Sequence, residues 1–161
     1  MEKFQYISNS VEDTIAFGQA LGKLLEPDDC VVLDGELGAG KTQITKGVAK
    51  ALGIAEEVVS PTFNLLMNYE GGMMDLHHFD LYRLETSEEL EDIGFYEALE
   101  DGSATIIEWG LKFPDEMPYS YILLELKNLD ESKRQITCSA LGNRAKEILN
   151  ELMELCGGNH D

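Results

Sequence analysis

Gly35-Glu36-Leu37-Gly38-Ala39-Gly40-Lys41-Thr42 is a glycine, four residues, then Gly-Lys-Thr, the spacing of a phosphate-binding loop. The glycines let consecutive backbone N–H groups converge on an anion with no Cβ in the way. Lys41 brings a point charge to the β- and γ-phosphates, and the Thr42 hydroxyl, one residue into the next helix, is placed to ligate Mg²⁺. The helix N-terminus adds a partial positive charge. The flanks decide between such a loop and an ordinary glycine turn. Before it, Cys30-Val31-Val32-Leu33-Asp34 is an apolar, β-branched run that reads as a buried parallel strand. After it, 41–52 has helical spacing, with Ile44, Val48, Ala51 and Leu52 on one face and Gly53 as the stop. Strand, loop and helix in that order predict a nucleotide site with contacts from Gly35 through Gln43.

The chain has 161 residues and a formal net charge of −19. That length suits one domain over 1–161, with a frayed tail expected at 156–161. Such acidity argues against wrapping nucleic acid directly: any RNA contact is expected to be local or made by a partner, and a basic protein partner fits better. No apolar run nears the ~20 residues of a membrane span, and the N-terminus lacks the basic-then-apolar order of a signal peptide. A cytoplasmic protein without a membrane role is expected. Cys30, Cys138 and Cys156 are odd in number and widely spaced, and read as reduced, packed thiols.

Outward from the loop, 4–7 is a short strand, and Ser10 with Glu12 and Asp13 starts a helix. Its expected apolar face is Ile15, Ala16, Leu21, Leu24 and Leu25, and Thr14, early in the helix, either approaches the nucleotide or is an ordinary solvated or first-turn threonine. Pro61 makes Val58-Val59-Ser60-Pro61-Thr62-Phe63 an extended loop, in which Thr62 is either a sensor of the γ-phosphate or simply the start of a strand. Runs 63–69 and 73–82 flank Gly71-Gly72 and read as a hairpin closed by a two-residue turn. Asp80 emerges near the end of its second strand, where a P-loop site holds the water shell of Mg²⁺. The apolar run Ser103-Ala104-Thr105-Ile106-Ile107 leads straight into Glu108, so two acids compete for the role; both can approach the metal, one directly and one through water, and the sequence does not rank them. Adjacent His77 and His78 face opposite sides of a strand and read as structural or surface residues. Residues 84–101 hold eight acids and no Lys or Arg, a helical stretch capped by Thr86 or Ser87 that is a solvated face or a docking surface for a basic partner. Strands at 121–126 and 135–140 pair across a turn carrying Lys133 and Arg134, which reach a phosphate or protect a sheet edge, and a helix follows at 143–155. The fold predicted is α/β, P-loop NTPase-like, with a mixed central β-sheet flanked by helices. No Asn-Lys-x-Asp segment reads guanine, so ATP is the expected nucleotide, and no arginine in the chain is an obvious finger.

The glycine loop, Ser60-Pro61-Thr62-Phe63, His78-Phe79-Asp80-Leu81-Tyr82-Arg83 and Ile107-Glu108-Trp109, in this order and at these separations, resemble the bacterial TsaE (YjeE) family of P-loop ATPases. The resemblance covers the N-terminal helix to about Trp109. It implies a Mg-dependent ATPase acting in the synthesis of threonylcarbamoyladenosine beside the anticodon of tRNAs that read codons beginning with A. It also implies two partner proteins, TsaB and TsaD, the second transferring the threonylcarbamoyl group, with ATP hydrolysis supporting repeated turnover. In that likeness Lys41 is the phosphate lysine, Thr42 and Glu108 are Mg²⁺ ligands, and Asp80 is an essential acid near metal or water. Thr62 belongs to a switch-like loop and Trp109 to the rim. Gly110 stands where many relatives carry Pro, and Gln43 where a second Thr is common; these departures touch rim geometry and leave the phosphate groups intact. A small-molecule kinase would share the loop but want a basic lid where 84–101 is acidic, and a non-catalytic, nucleotide-gated module would bind ATP without releasing phosphate.

Overall fold

The strand that leads into the glycine loop, β2 (Cys30–Gly35), is flanked on both sides within one sheet. The computed structural model describes residues 3–36, 39–61 and 64–156. Among them the sheet has seven strands, in the order β1 (Lys3–Ser8), β7 (Arg134–Leu141), β6 (Tyr121–Asn128), β2, β5 (Ala104–Glu108), β4 (Leu76–Asp80) and β3 (Leu66–Tyr69). Strands β6, β2, β5 and β4 run parallel. β7 pairs antiparallel with both β6 and β1, and β3 antiparallel with β4. This is the mixed α/β sheet that the sequence predicts.

Alternate side chains of the central strands feed two apolar layers, as a period of two requires. Val31, Leu33, Ile106, Ile122 and Leu124 pack with side chains of α1 (Val11–Gly22), α2 (Lys41–Ala51) and α5 (Asn143–Leu155). Val32, Ile107, Leu123 and Phe79 pack with Leu90 of α3 (Glu88–Asp92) and Phe95 of α4 (Phe95–Ala98). Each fully buried Leu or Ile here stabilises the fold by about 1.5–3 kcal/mol relative to exposure. Burial pushes the Cys30 and Cys138 thiols well up, and it pushes half-buried Cys156 up to about 11, with the Asp13 charge adding to it. No helix among the described residues is long and apolar enough to cross a membrane.

Helix α1 lies unusually close to α2, and glycines make this possible. A Cβ on Gly47 would sit 2.1 Å from the Ile15 carbonyl oxygen and 2.6 Å from the Gln19 nitrogen; one on Gly18 would sit 2.3 Å from the Ile44 oxygen. This corrects the expected face of α1. Its buried residues are Thr14, Phe17, Gly18, Leu21 and Gly22, while Ala16 is exposed. Two of the five are glycines, invisible to a hydrophobicity pattern.

Two more expectations change. The hairpin exists, but β3 and β4 are joined by 70–75 rather than by two residues, because Gly72 and Met73 donate their N–H groups to the carbonyls of Gly53 and Leu52 (3.2 and 3.0 Å). The connection is thereby spent on docking against the end of α2. The acidic segment breaks at Gly94 into α3 and α4, and Ser87 makes no side-chain cap. The Glu89 carboxylate takes that role, accepting from the Thr86 and Glu85 N–H groups (3.0 and 2.7 Å), which hold it below the usual carboxylate range. Beyond Cys156, the tail expected at 156–161 lies outside the described residues.

Gly47→Ala gains about 1 kcal/mol of helix propensity, yet the new methyl meets backbone that cannot rotate away. It is expected to lower stability by about 1–3 kcal/mol net. Gly72→Ala, whose Cβ meets nothing nearer than 3.9 Å, is expected to stay within about 0.5 kcal/mol of the parent. Urea unfolding of the two variants checks the difference.

Candidate functional site

Parallel pairing sets the floor of the site. Register places Asp80, the last residue of β4, beside Glu108, the last of β5, and Glu108 beside Leu33 of β2. Two carboxylates therefore leave neighbouring strands next to the loop that starts α2, at the carboxyl edge where open parallel sheets bind ligands. A cleft of about 880 Å³ opens there. Gly40, Lys41, Thr42, Gln43, Asp80 and Glu108 line it together with Glu36, Ser60, Tyr82 and Trp109. The first turn of α1 adds Ser10, Val11, Glu12 and Thr14, and the β6–β7 turn adds Glu131, Ser132 and Arg134.

The glycine loop has the backbone that its sequence requires. Gly35 and Gly40 take φ of 148° and 107°, and a Cβ on Gly35 would lie 2.7 Å from the Leu126 carbonyl oxygen. Gly40 caps α2 without any side-chain hydrogen bond. The N–H groups that a helix start leaves without partners are thus not covered by a cap, the usual setting for an anion. Ala39 is fully buried beneath the loop. Leu37, Gly38 and Thr62, expected as nucleotide contacts, lie outside the described residues.

Lys41 is 7% exposed, and three groups hold its ammonium. It donates to the Gly35 carbonyl (2.9 Å), stands 3.7 Å from Glu108 Oε1, and lies 5.1 Å from the centroid of the Trp109 ring. Asp80 is buried, and its Oδ1 accepts the Tyr82 N–H (3.0 Å). Immediately after β5, Trp109 adopts left-handed φ and ψ of 63° and 26°, a conformation that costs an ordinary side chain about 1–2 kcal/mol. This bend starts the 3₁₀ turn Gly110–Lys112 and puts the indole against both Lys41 and the Tyr82 ring, whose centroid is 4.8 Å away. Lys112 donates to the Tyr82 carbonyl (2.6 Å) and steadies that wall.

The donor set suits Mg²⁺. Thr42 offers a hydroxyl and Asp80 and Glu108 offer carboxylates, all hard oxygens on one cleft. Among the described residues no group of three or more His, Cys, Asp or Glu could hold a metal alone.

Sequence reasoning left three lining or supporting residues without a settled role. His78 is fully buried, and its Nε2 lies 2.7 Å from Glu108 Oε2, so it is no surface residue. The signal was present, since residues i and i+2 of a strand share a face and His78 stands two before Asp80. His77 lies on the opposite face, bonded to Asn68 and Asp101. Thr14 is buried rather than solvated, its hydroxyl 2.6 Å from Ser8 Oγ and 3.2 Å from the Ser10 carbonyl. Tyr82 had signalled nothing until the fold brought it to Trp109.

With this geometry established, comparison with known proteins gives a consistent result. The sequence model of the family described as "Threonylcarbamoyl adenosine biosynthesis protein TsaE" matches residues 8–136. A Treponema pallidum protein named tRNA threonylcarbamoyladenosine biosynthesis protein TsaE is 43% identical over 131 residues, covering 81% of this chain and 96% of its own. A Bacillus subtilis protein of the same name is 34% identical over 152 residues, covering 94% and 95%. The crystal structure of Bacillus subtilis YdiB superimposes with a TM-score of 0.79 at 27% identity, over 96% of each chain.

The left-handed turn at Trp109 makes a test of its own. Both Trp109→Gly and Trp109→Ala lose the indole, but only glycine is at ease at this φ, so the Gly variant is expected to be more stable than the Ala variant by about 1 kcal/mol. Chemical denaturation of the pair would expose the opposite order if the turn carried no strain.

Proposed function

This chain belongs to the TsaE family, and we propose that its cleft binds ATP with Mg²⁺ and hydrolyses it. It acts in tRNA threonylcarbamoyladenosine biosynthesis as the TsaE component. The observation that supports the ATPase reading is that Lys41, Thr42, Asp80 and Glu108 line one cleft at the carboxyl edge of the parallel strands.

Binding is an exchange at Lys41. Its ammonium gives up the Gly35 carbonyl for β- and γ-phosphate oxygens, while Glu108 and the indole of Trp109 keep the charge compensated. The uncapped N–H groups at the start of α2 bind further phosphate oxygens. Thr42, Asp80 and Glu108 are the residues to hold Mg²⁺, which when bound offsets the negative charge of the phosphates. Asp80, oriented by the Tyr82 N–H, is the acid beside metal or attacking water.

Turnover by the chain alone is weak in this reading. Arg134 lines the cleft, and its Nη1 is tied to its own turn, donating to the carbonyls of Asp130, Glu131 and Lys133. Charge stabilisation of the departing phosphate is then completed by partners of the TsaB and TsaD type. The acidic segment spanning α3 and α4, with exposed Tyr96, suits a basic partner surface, and tRNA contact is left to the partners. The site of action is the cytoplasm.

Trp109 is the only tryptophan and stands at the cleft, so its fluorescence reports binding. Titration with Mg-ATP is expected to give a saturable change that Lys41→Ala abolishes. Asp80→Asn and Glu108→Gln are expected to bind ATP within about threefold of the parent but to hydrolyse it about 100-fold more slowly in a single turnover. EDTA stops hydrolysis, and addition of the two partners speeds it. No saturable signal from folded protein would overturn the ATP reading, and a fast rate indifferent to partners would overturn partner stimulation.

A further inference from the structure

His78 is an expensive residue in its position. Its ring is fully buried on β4, in register between Met67 of β3 and Ile106 of β5, in a strand whose other buried members include Leu76 and Phe79. A leucine would suit these neighbours without a desolvated polar ring. Among the described residues Nδ1 has no hydrogen-bond partner, so none of them retains the ring for a second contact on that side. All of its polar contact goes through Nε2, which lies 2.7 Å from Glu108 Oε2.

That contact has a direction. A carboxylate oxygen accepts, so Nε2 is the atom that donates in this contact, and Nδ1 takes no part in it. The contact is diagonal across the sheet: His78 is opposite Ile106 while Glu108 is opposite Asp80. The ring therefore reaches past its own pair to the next same-face residue of β5. With Oε2 held from below by the imidazole, Oε1 is the oxygen that faces Lys41 at 3.7 Å. A glutamate has three rotatable bonds, and in a cleft it would otherwise sample several orientations.

We propose that His78 is the positioning residue of this site, fixing the Glu108 carboxylate so that one oxygen is presented to Lys41 and the cleft. The proposal rests on the reading that Glu108 serves ATP hydrolysis. It gives His78 no contact with nucleotide or metal.

The test uses the intact chain with three substitutions. Gln keeps an N–H donor near the place of Nε2, Asn carries its N–H near the place of Nδ1 and falls short of Glu108, and Leu has none. In single turnovers with Mg-ATP, His78→Leu and His78→Asn are expected to lose about 10–100-fold in rate, with ATP affinity within about threefold of the parent. His78→Gln is expected to recover most of the rate. Added to Glu108→Gln, His78→Leu should change the rate less than about twofold, because it acts through that side chain. The idea is overturned if His78→Leu turns over like the parent, if Gln is as impaired as Asn, or if Leu slows Glu108→Gln by the factor seen in the parent. Thermal melting separates loss of fold from loss of rate, and the Gln and Asn pair decides the matter if Leu does not fold. Should the parent itself show no hydrolysis, the ATPase reading fails separately. Crystal structures of the Gln and Asn variants then decide the positioning role: Glu108 kept facing Lys41 in the first and turned away in the second supports it, and Glu108 unmoved in both refutes it.

Discussion

A nearly buried ammonium at the floor of the cleft is the constraint around which the remainder is built. Taking a full charge out of water costs several kcal/mol unless other groups replace the lost hydration. For Lys41 the replacements come from three separate places in the sequence: the Gly35 carbonyl, the Glu108 carboxylate and the Trp109 ring. Each must be delivered by a different piece of backbone. Gly35 ends β2, Glu108 ends β5, and the indole arrives because the chain turns left-handed just after that strand. Remove the parallel register of β2 and β5, and the lysine has no partner of opposite charge.

Helix α2 in turn has to be held at a fixed height above the sheet, since Lys41 is its first residue. The glycine contact with α1 does this from one side. Backbone against backbone leaves no side chain to change rotamer, so the position of α2 is set by hard contact rather than by adjustable packing. The same contact brings the first turn of α1, with Ser10 and Thr14, to the wall of the cleft. A second tie runs from α5, where Arg144 grips the Asp29 carboxylate and the Leu24 carbonyl just ahead of β2.

Much of this was legible in the letters. The glycine loop announces itself through residue spacing, and the strands around it through apolar runs with turn residues between, so the α/β sheet follows from local signals. What was not legible required contacts between distant segments. Asp80 and Glu108 were both placed near the metal without a rank, and the sequence cannot show that β4 and β5 are parallel neighbours in register, which makes the two acids adjacent. On the α1 side Leu21 and Leu25 are buried as expected, but Gly18 and Gly22 were missed because glycine carries no hydrophobic signal. The Gly71-Gly72 turn was misjudged because those residues answer to Gly53 and Leu52 across the fold. His78 is the instructive miss: alternation was applied to separate it from His77 and was not carried two residues further to Asp80.

The outermost strand has a consequence for how the molecule comes into being. β1 precedes β7 by most of the sheet's other strands, yet every partner it has in the sheet belongs to β7, with Lys3 facing Ser139 and Ser8 facing Arg134. An emerging chain must therefore hold this strand in waiting until β7 has been made, and closing so long a loop slows that step of assembly. In the interval the parallel centre and its helices can already be in place, while the far edge of the sheet is open for pairing with another copy.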